Sequence, residues 1–214
     1  RGGGGWPSVL RLGAAYGILE EGVAVKSFFD PNWPDLGVLG TYGRWLDVNW
    51  VWAEWLTIYH SIYSITIPIL LVELLFPSFR GVAYLGGKGV AFFLTLISLV
   101  VILCHFYLNP YPASPWQMLG CLLAITILTL CAKRLRGLKL GCAESRVKNR
   151  RLWLLGASGG FTYFFIVFGL LPSVGIPVLL TISIGIALTM LIALIVLRLS
   201  KRGIGELNAL GLAS

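Results

Sequence analysis

The chain has 214 residues, of which 57% are hydrophobic and only 12% are charged. Its mean hydropathy of +0.84 excludes an ordinary soluble domain. Repeated apolar runs of about 18 or more residues predict membrane-spanning helices. We therefore expect an all-α fold, a polytopic membrane helix bundle of about six transmembrane helices, with residues 1–214 as one transmembrane domain. The chain begins with Arg1 rather than Met, which is compatible with a truncated N-terminus.

The apolar runs predict six helices, A to F in chain order. Pro68 lies inside the second run and should kink helix B. The pair Ser114-Pro115 is typical of a helix cap followed by a first turn, and it should start helix D. The predicted helices are Pro7–Phe29, Trp50–Phe76, Gly89–Leu108, Pro115–Ala132, Leu152–Leu171, and a last helix that follows the turn Pro172–Pro177 and ends near Leu197.

Lysine and arginine residues predict the orientation. The loop 133–151 between helices D and E holds eight of the seventeen basic residues, so the positive-inside rule makes it a basic cytoplasmic loop. Because successive helices cross the membrane in opposite directions, fifteen of the seventeen basic residues then lie on one side, and both termini lie in the cytoplasm. The charge of +8 thus indicates a multi-pass protein of the cell membrane in contact with lipid, and we expect no nucleic-acid partner.

Residues 30–49 form the predicted extracytoplasmic aromatic loop between helices A and B. Its prolines and tryptophans favour an ordered cap over the outer mouth of the bundle. An aromatic anchor lying in the lipid headgroups remains an equal alternative. The tryptophans on this side predict an outer aromatic belt, made of Trp33, Trp45, Trp50, Trp52, Trp55 and Trp116.

Helix A carries two adjacent carboxylates, Glu20 and Glu21, in an otherwise apolar run. A charge at bilayer depth costs at least ~2.5–3.5 kcal/mol on insertion scales, so the pair needs a sheltered position or a wet cavity. Gly13 and Gly17 form a small-xxx-small pair that favours close packing of helix A inside the bundle. Adjacent helical residues point about 100° apart, so we expect the two carboxylates to face different directions.

Both histidines of the chain lie in predicted helices. His60 belongs to helix B, and His105 shares one face of helix C with Asn109 at the i, i+4 spacing. Antiparallel packing of helices A and B puts the diglutamate and His60 at similar depth. We therefore predict that at least one glutamate faces the interior and approaches His60. The other carboxylates of helix B, Glu54 and Glu73, are predicted to lie at the membrane interfaces.

The order of these residues resembles the signature of the CAAX-processing and bacteriocin-processing (CPBP) intramembrane protease family. The matching segments are EEGVAVK (Glu20–Lys26), LTIYH (Leu56–His60) and HFYLN (His105–Asn109). The third matches the family pattern fully, whereas the second has Leu56 for Phe and the first has Lys26 for an Arg one place earlier. The resemblance implies catalysis by Glu20 or Glu21 with His60, and an oxyanion site at His105 and Asn109.

The sequence is compatible with three functions. The first is a divergent glutamate-type intramembrane protease, or its inactive relative, acting on a membrane-embedded peptide with no metal or cofactor. The second is a small proton- or ion-coupled transporter that uses Glu20, Glu21, His60 and Lys26. The third is a structural subunit of a membrane complex, in which the polar residues are interhelical hydrogen-bond partners.

Overall fold

The computed structural model describes residues 5–76, 78, 82–134 and 149–201. Its backbone is almost entirely helical, and five of its helices are long and apolar enough to cross a membrane. The predicted all-α fold is therefore confirmed, and the chain is a multi-pass integral membrane protein. The five spans are Trp50–Glu73, Gly87–Leu108, Pro115–Arg134, Leu154–Ser173 and Val178–Ile195.

The first predicted helix is present but is not one of these five spans. It consists of α1 (Trp6–Gly17) and a π-helical segment π1 (Ile18–Ala24). Three charged residues fall inside it and lower its hydropathy. The prediction that it continues to Phe29 is wrong: the helix ends at Ala24, and Lys26 has a φ of +58°, in the left-handed region that ends a helix.

Helix B is continuous but changes its hydrogen-bond pattern. α2 (Trp50–Tyr59) passes into π2 (His60–Thr66) and then into α3 (Ile67–Leu75). Pro68 lies in the first turn of α3, directly after π2, where its missing N–H costs least.

Two further helices also contain a π-helical segment. The remaining elements are α4 (Gly87–Leu103) with π3 (Cys104–Leu108), α5 (Pro115–Arg134), α6 (Asn149–Phe161) with π4 (Thr162–Leu170), α7 (Leu171–Ser173) and α8 (Val178–Lys201). The helix bounds thus lie within a few residues of those predicted. The predicted start of helix D is also correct, because Ser114 and Gln117 form a reciprocal capping box around Pro115.

α1 and π1 pack closely against their neighbours. A Cβ placed on Gly13 would lie 2.8 Å from Ser61 Cα, so the backbones of α1 and π2 touch there. Ser61 Oγ donates to Leu10 O at 2.7 Å, and Ser8 Oγ donates to Ala132 O at 2.8 Å. The close packing predicted for helix A is therefore met. By contrast, α4 has no buried residue, as expected of a helix that faces lipid.

The loop 30–49 is ordered. It contains a 3₁₀ turn (Gly37–Gly40) and a two-stranded antiparallel hairpin, β1 (Arg44–Trp45) and β2 (Val48–Asn49). Tyr42 Oη lies 2.7 Å from Ile176 O and 2.6 Å from Thr181 Oγ1, which attaches the loop to the start of α8. The loop thus has the order predicted for a cap, and its side of the membrane remains a prediction.

Asn49 joins this loop to α2. Its Oδ1 accepts from Trp52 N at 3.0 Å as the N-cap of the helix, while its Nδ2 donates to Leu39 O. Asn49 is fully buried and Leu39 is 2% exposed. The hydrophobic core lies beneath, where Phe28, Val51 and the π4 aromatics meet.

Two predictions about the membrane surface are corrected. Trp52 is 4% exposed and packs in the core, so it does not belong to an aromatic belt, whereas Trp45, Trp50 and Trp116 are exposed. Glu73 is 3% exposed, and both Glu54 oxygens are enclosed where α8 meets α2 at Gly185, so neither carboxylate lies on the surface expected at a membrane interface. The basic loop 133–151 lies outside the described residues apart from its ends, as do both termini.

Candidate functional site

Glu20, Glu21 and His60 meet between π1 and π2. His60 Nε2 lies 3.1 Å from Glu21 Oε1, and His60 Nδ1 lies 3.3 Å from Glu20 Oε2. The imidazole thus stands between the two carboxylates, and both glutamates approach His60, as predicted for at least one. The two adjacent carboxylates reach the two different nitrogens of one ring.

Glu21 is the more firmly held carboxylate. Its Oε2 accepts a hydrogen bond from Ser27 Oγ, and its Oε1 is bonded to His60. Ser27 is fully buried and in turn accepts from Trp52 Nε1 at 3.1 Å. Because an ionised Glu21 can only accept, His60 Nε2 carries the proton of this bond. Nδ1 of neutral His60 is then an acceptor for Ser64 Oγ, 2.9 Å away.

Glu20 keeps one oxygen without a hydrogen bond. Its Oε2 is enclosed and unpartnered within the described part of the chain, although it lies beside His60 Nδ1. The Glu20 side chain as a whole is 37% exposed. Tyr16, one turn earlier, lies beside Glu20 and packs edge-on against the His60 ring at 5.9 Å. A buried acceptor without a donor is a position where a water molecule completes the hydrogen bonding.

The π-helical segments position the candidate residues. Glu20 and Glu21 lie in π1, His60 is the first residue of π2, and His105 belongs to π3. A π turn has i→i+5 bonding, which re-aims side chains relative to an α-helix, and such turns are frequent at functional sites. Gly17 supplies the room, since a Cβ there would lie 2.9 Å from His60 Cβ.

His105 and Asn109 contact the chain that follows the diglutamate. His105 Nδ1 bonds Val23 O at 2.7 Å, while Asn109 Nδ2 donates to Val25 O at 2.8 Å and to Asp30 Oδ2 at 3.1 Å. Asn109 Oδ1 accepts from the main chain two residues on. These residues therefore hold the end of π1 and the chain that follows it, and the bonds described for them do not include one to Glu20 or Glu21.

Lys26 closes the same turn. It is 3% exposed, and its Nζ donates to His105 O at 2.6 Å. Burial lowers the pKa of Lys26, and the charge of Asp30 opposes this effect. The cation thus ties the turn after π1 to the end of helix C. This contact is with the backbone, so it requires a long donor rather than a particular side-chain partner.

The three clustered side chains also have the spacing of a cation site. One ligand atom each from Glu20, Glu21 and His60 lies within 4.8 Å of the other two. Two carboxylates and one imidazole are a donor set that divalent metals accept. Without a metal, the same three side chains can accept protons, and Glu20 Oε2 has no hydrogen bond within the described part of the chain. The geometry is therefore compatible with activation of a water molecule in either way.

Sequence reasoning missed Ser27, which anchors Glu21. Ser27 follows the left-handed turn at Lys26, and no helical periodicity relates it to Glu21. Ser64, by contrast, lies one turn after His60 on the same face, so the i, i+4 spacing identifies it from the sequence.

Comparison of the chain with protein-family models, with curated proteins and with solved structures finds no match. The resemblance to the CPBP family therefore rests on the three motifs and on nothing outside them.

Proposed function

We propose that the protein is a divergent glutamate-type intramembrane protease that cleaves a membrane-embedded peptide. The observation that carries the proposal is the unpartnered Oε2 of Glu20, enclosed beside His60 Nδ1 in an integral membrane protein. An oxygen that has no other hydrogen bond has its acceptor sites open for the water whose proton a general base removes.

The two glutamates have different roles in this proposal. Glu20 is the base: it takes a proton from water as the water oxygen attacks the peptide carbonyl carbon. We assign Glu21 as a positioning residue for the imidazole, because each of its oxygens already accepts a hydrogen bond, one from Ser27 and one from His60. The proton then goes to the leaving amide nitrogen as the C–N bond breaks, which releases a carboxylate and an amine.

His60 assists the base through Nδ1. Glu20 Oε2 lies 3.3 Å from this nitrogen, which is an acceptor in the neutral ring, so the imidazole can accept a hydrogen bond from the proton that Glu20 takes from water. His105 Nδ1 donates to Val23 O, so Nε2 can donate to an oxyanion only when the ring is a protonated imidazolium. Asn109 donates to Val25 O after π1 and accepts from Tyr111 N two residues on, so we assign it a positioning role.

The test uses the purified protein in proteoliposomes with a mixture of labelled single-span peptides as the probe. Cleavage products are identified by mass spectrometry. Glu20→Gln should abolish cleavage, with a loss of more than about 100-fold, the usual contribution of a general base. Glu21→Gln should lower the rate less and leave a residual activity, because Gln can still accept from Ser27.

Asp35→Asn is the matched control, because it removes an exposed carboxylate from the 30–49 loop and should cleave like the wild type. Equal activity of Glu20→Gln and the wild type, with both folded, would reject the protease. Loss of activity on chelation and recovery with zinc would instead assign Glu20, Glu21 and His60 to a bound metal.

A further inference from the structure

A second polar cluster lies apart from the diglutamate, where α2, π4 and α8 meet. Both carboxyl oxygens of Glu54 are enclosed there without a hydrogen-bond partner in the described part of the chain. The Tyr163 hydroxyl and Trp55 Nε1 are likewise enclosed and unpartnered. Three unsatisfied polar groups in one region are unusual, because most buried polar atoms in proteins are bonded.

Glycine at position 185 brings the Glu54 carboxyl against α8. A Cβ placed on Gly185 would lie 2.7 Å from Glu54 Oε1 and 3.2 Å from Glu54 Cδ. The same Cβ would lie 3.1 Å from Phe168 Cζ. The carboxyl therefore occupies the space that any other residue at 185 would fill, and the backbone of α8 forms one wall of the cluster.

Aromatic rings form the other walls. Trp55 stacks on Phe168 with centroids 6.1 Å apart, and Tyr163 contacts Phe168 at 4.8 Å. Trp52 meets Trp55 edge-on at 5.0 Å. These walls supply no cation. Tyr163 is within electrostatic reach of Glu54, and it is the titratable group that the described residues of π4 and α8 bring to the carboxyl.

We propose that Glu54 is a proton-binding site, occupied by a proton when α2 and α8 are packed together. An ionised carboxylate in this position would lose its hydration and gain no countercharge, which is far more costly than burying the neutral acid. A proton needs no cavity, in agreement with the close contact at Gly185. Loss of the proton is then expected to separate α8 from α2.

The experiment is infrared spectroscopy of the protein labelled with ¹³C-glutamate in phosphatidylcholine vesicles. At neutral pH the wild type should show the C=O band of a protonated glutamic acid. The band should disappear in Glu54→Gln and remain in Asp35→Asn. It should also remain in Glu20→Gln, which separates this proposal from the protease.

Thermal melting provides a second measurement that does not depend on any one variant. The melting temperature of the wild type should fall as the pH rises from about 4.3, the ordinary pKa of a glutamate, because the unfolded chain then releases the proton that folded Glu54 keeps. This fall should be the same in sodium and choline buffers. Glu54→Gln should melt independently of this pH change. A protonated band that survives in Glu54→Gln, or stabilisation of the wild type by sodium at high pH, would overturn the proton site.

Discussion

Gly17 and His60 are in backbone-to-side-chain contact: a Cβ on Gly17 would lie 2.9 Å from His60 Cβ, closer than such atoms approach in proteins. The candidate site therefore depends on a residue that carries no functional group. Because residue 17 of α1 is a glycine, π2 comes near enough for the His60 ring to lie between the Glu20 and Glu21 carboxylates of π1.

Gly17→Ala should lower both stability and activity. The added methyl group displaces His60, and overpacking of this kind typically costs roughly 1–3 kcal/mol. Gly120→Ala is the matched control, because a Cβ there meets nothing within 4 Å. That change should stabilise α5 by about 0.5–1 kcal/mol. Unfolding in detergent measures both, and equal effects of the two variants would contradict the contact.

Ser27→Ala should lower the free energy of unfolding, because Ser27 links Glu21 of the candidate site to Trp52. It leaves Glu21 Oε2 and Trp52 Nε1 without their shared partner, and a buried polar group left unsatisfied costs about 1–3 kcal/mol. Ser98→Ala serves as the control, because that hydroxyl is exposed and bonds only Leu94 O of its own helix. Its effect should stay within about 0.5 kcal/mol. Chemical unfolding curves followed by tryptophan fluorescence would show the difference.

Asn49→Ala should release the loop 30–49 as well as the start of α2. Loss of the N-cap costs about 0.5–2 kcal/mol, and the bond to Leu39 O is lost with it. Asn49→Asp keeps the capping oxygen but not the donor, so it should retain α2 and loosen only the loop. Limited proteolysis of the intact protein distinguishes the two. If Asn49→Asp resisted cleavage like the wild type, the link to Leu39 would be unimportant.

We expect the free energy of unfolding to rise with pH because Lys26 is buried in the folded protein. Burial lowers its pKa in the folded protein, so over the range between the folded and unfolded values the unfolded chain binds more protons. The free energy of unfolding should therefore increase from the folded pKa up to about 10.4, the ordinary value for lysine. Lys26→Met should lack this rise, whereas Lys88→Met, at an exposed position, should keep it. Melting temperatures across the alkaline range measure the slope.

The sequence predicted the helices because apolar length is a strong signal, and it predicted the proximity of His60 to the diglutamate from the depths of two antiparallel helices. It did not predict the π segments, because an apolar run has the same appearance whether its turns hold 3.6 residues or more, and the direction of Glu20 relative to Glu21 depends on that number. The early end of the first helix at Ala24 was also missed, because Val25, Phe28 and Phe29 continue the apolar run around Lys26 and Ser27.

The sequence did not predict that Glu54 is enclosed, and the reason is different. Its position near the start of an apolar run is typical of an interfacial carboxylate, and only the crossing of α2 by α8 at Gly185 encloses it. That crossing joins residues more than a hundred positions apart, and no local pattern records it. The roles of Asn109 and Lys26 likewise depend on the path of the chain after Ala24.

The π segment at His60 also determines how an insertion or deletion would act on the long second helix. A π turn holds roughly one residue more than an α turn, so loss of one residue between His60 and Thr66 would return the backbone to α-helical bonding with little rotation of α3 relative to α2. Glu54 and Glu73 would both keep their present directions, whereas the same deletion inside α2 or α3 would rotate the residues on its two sides by about 100° relative to each other. The segment His60–Thr66 is therefore the part of this helix that can lose a residue without changing the faces that its two halves present.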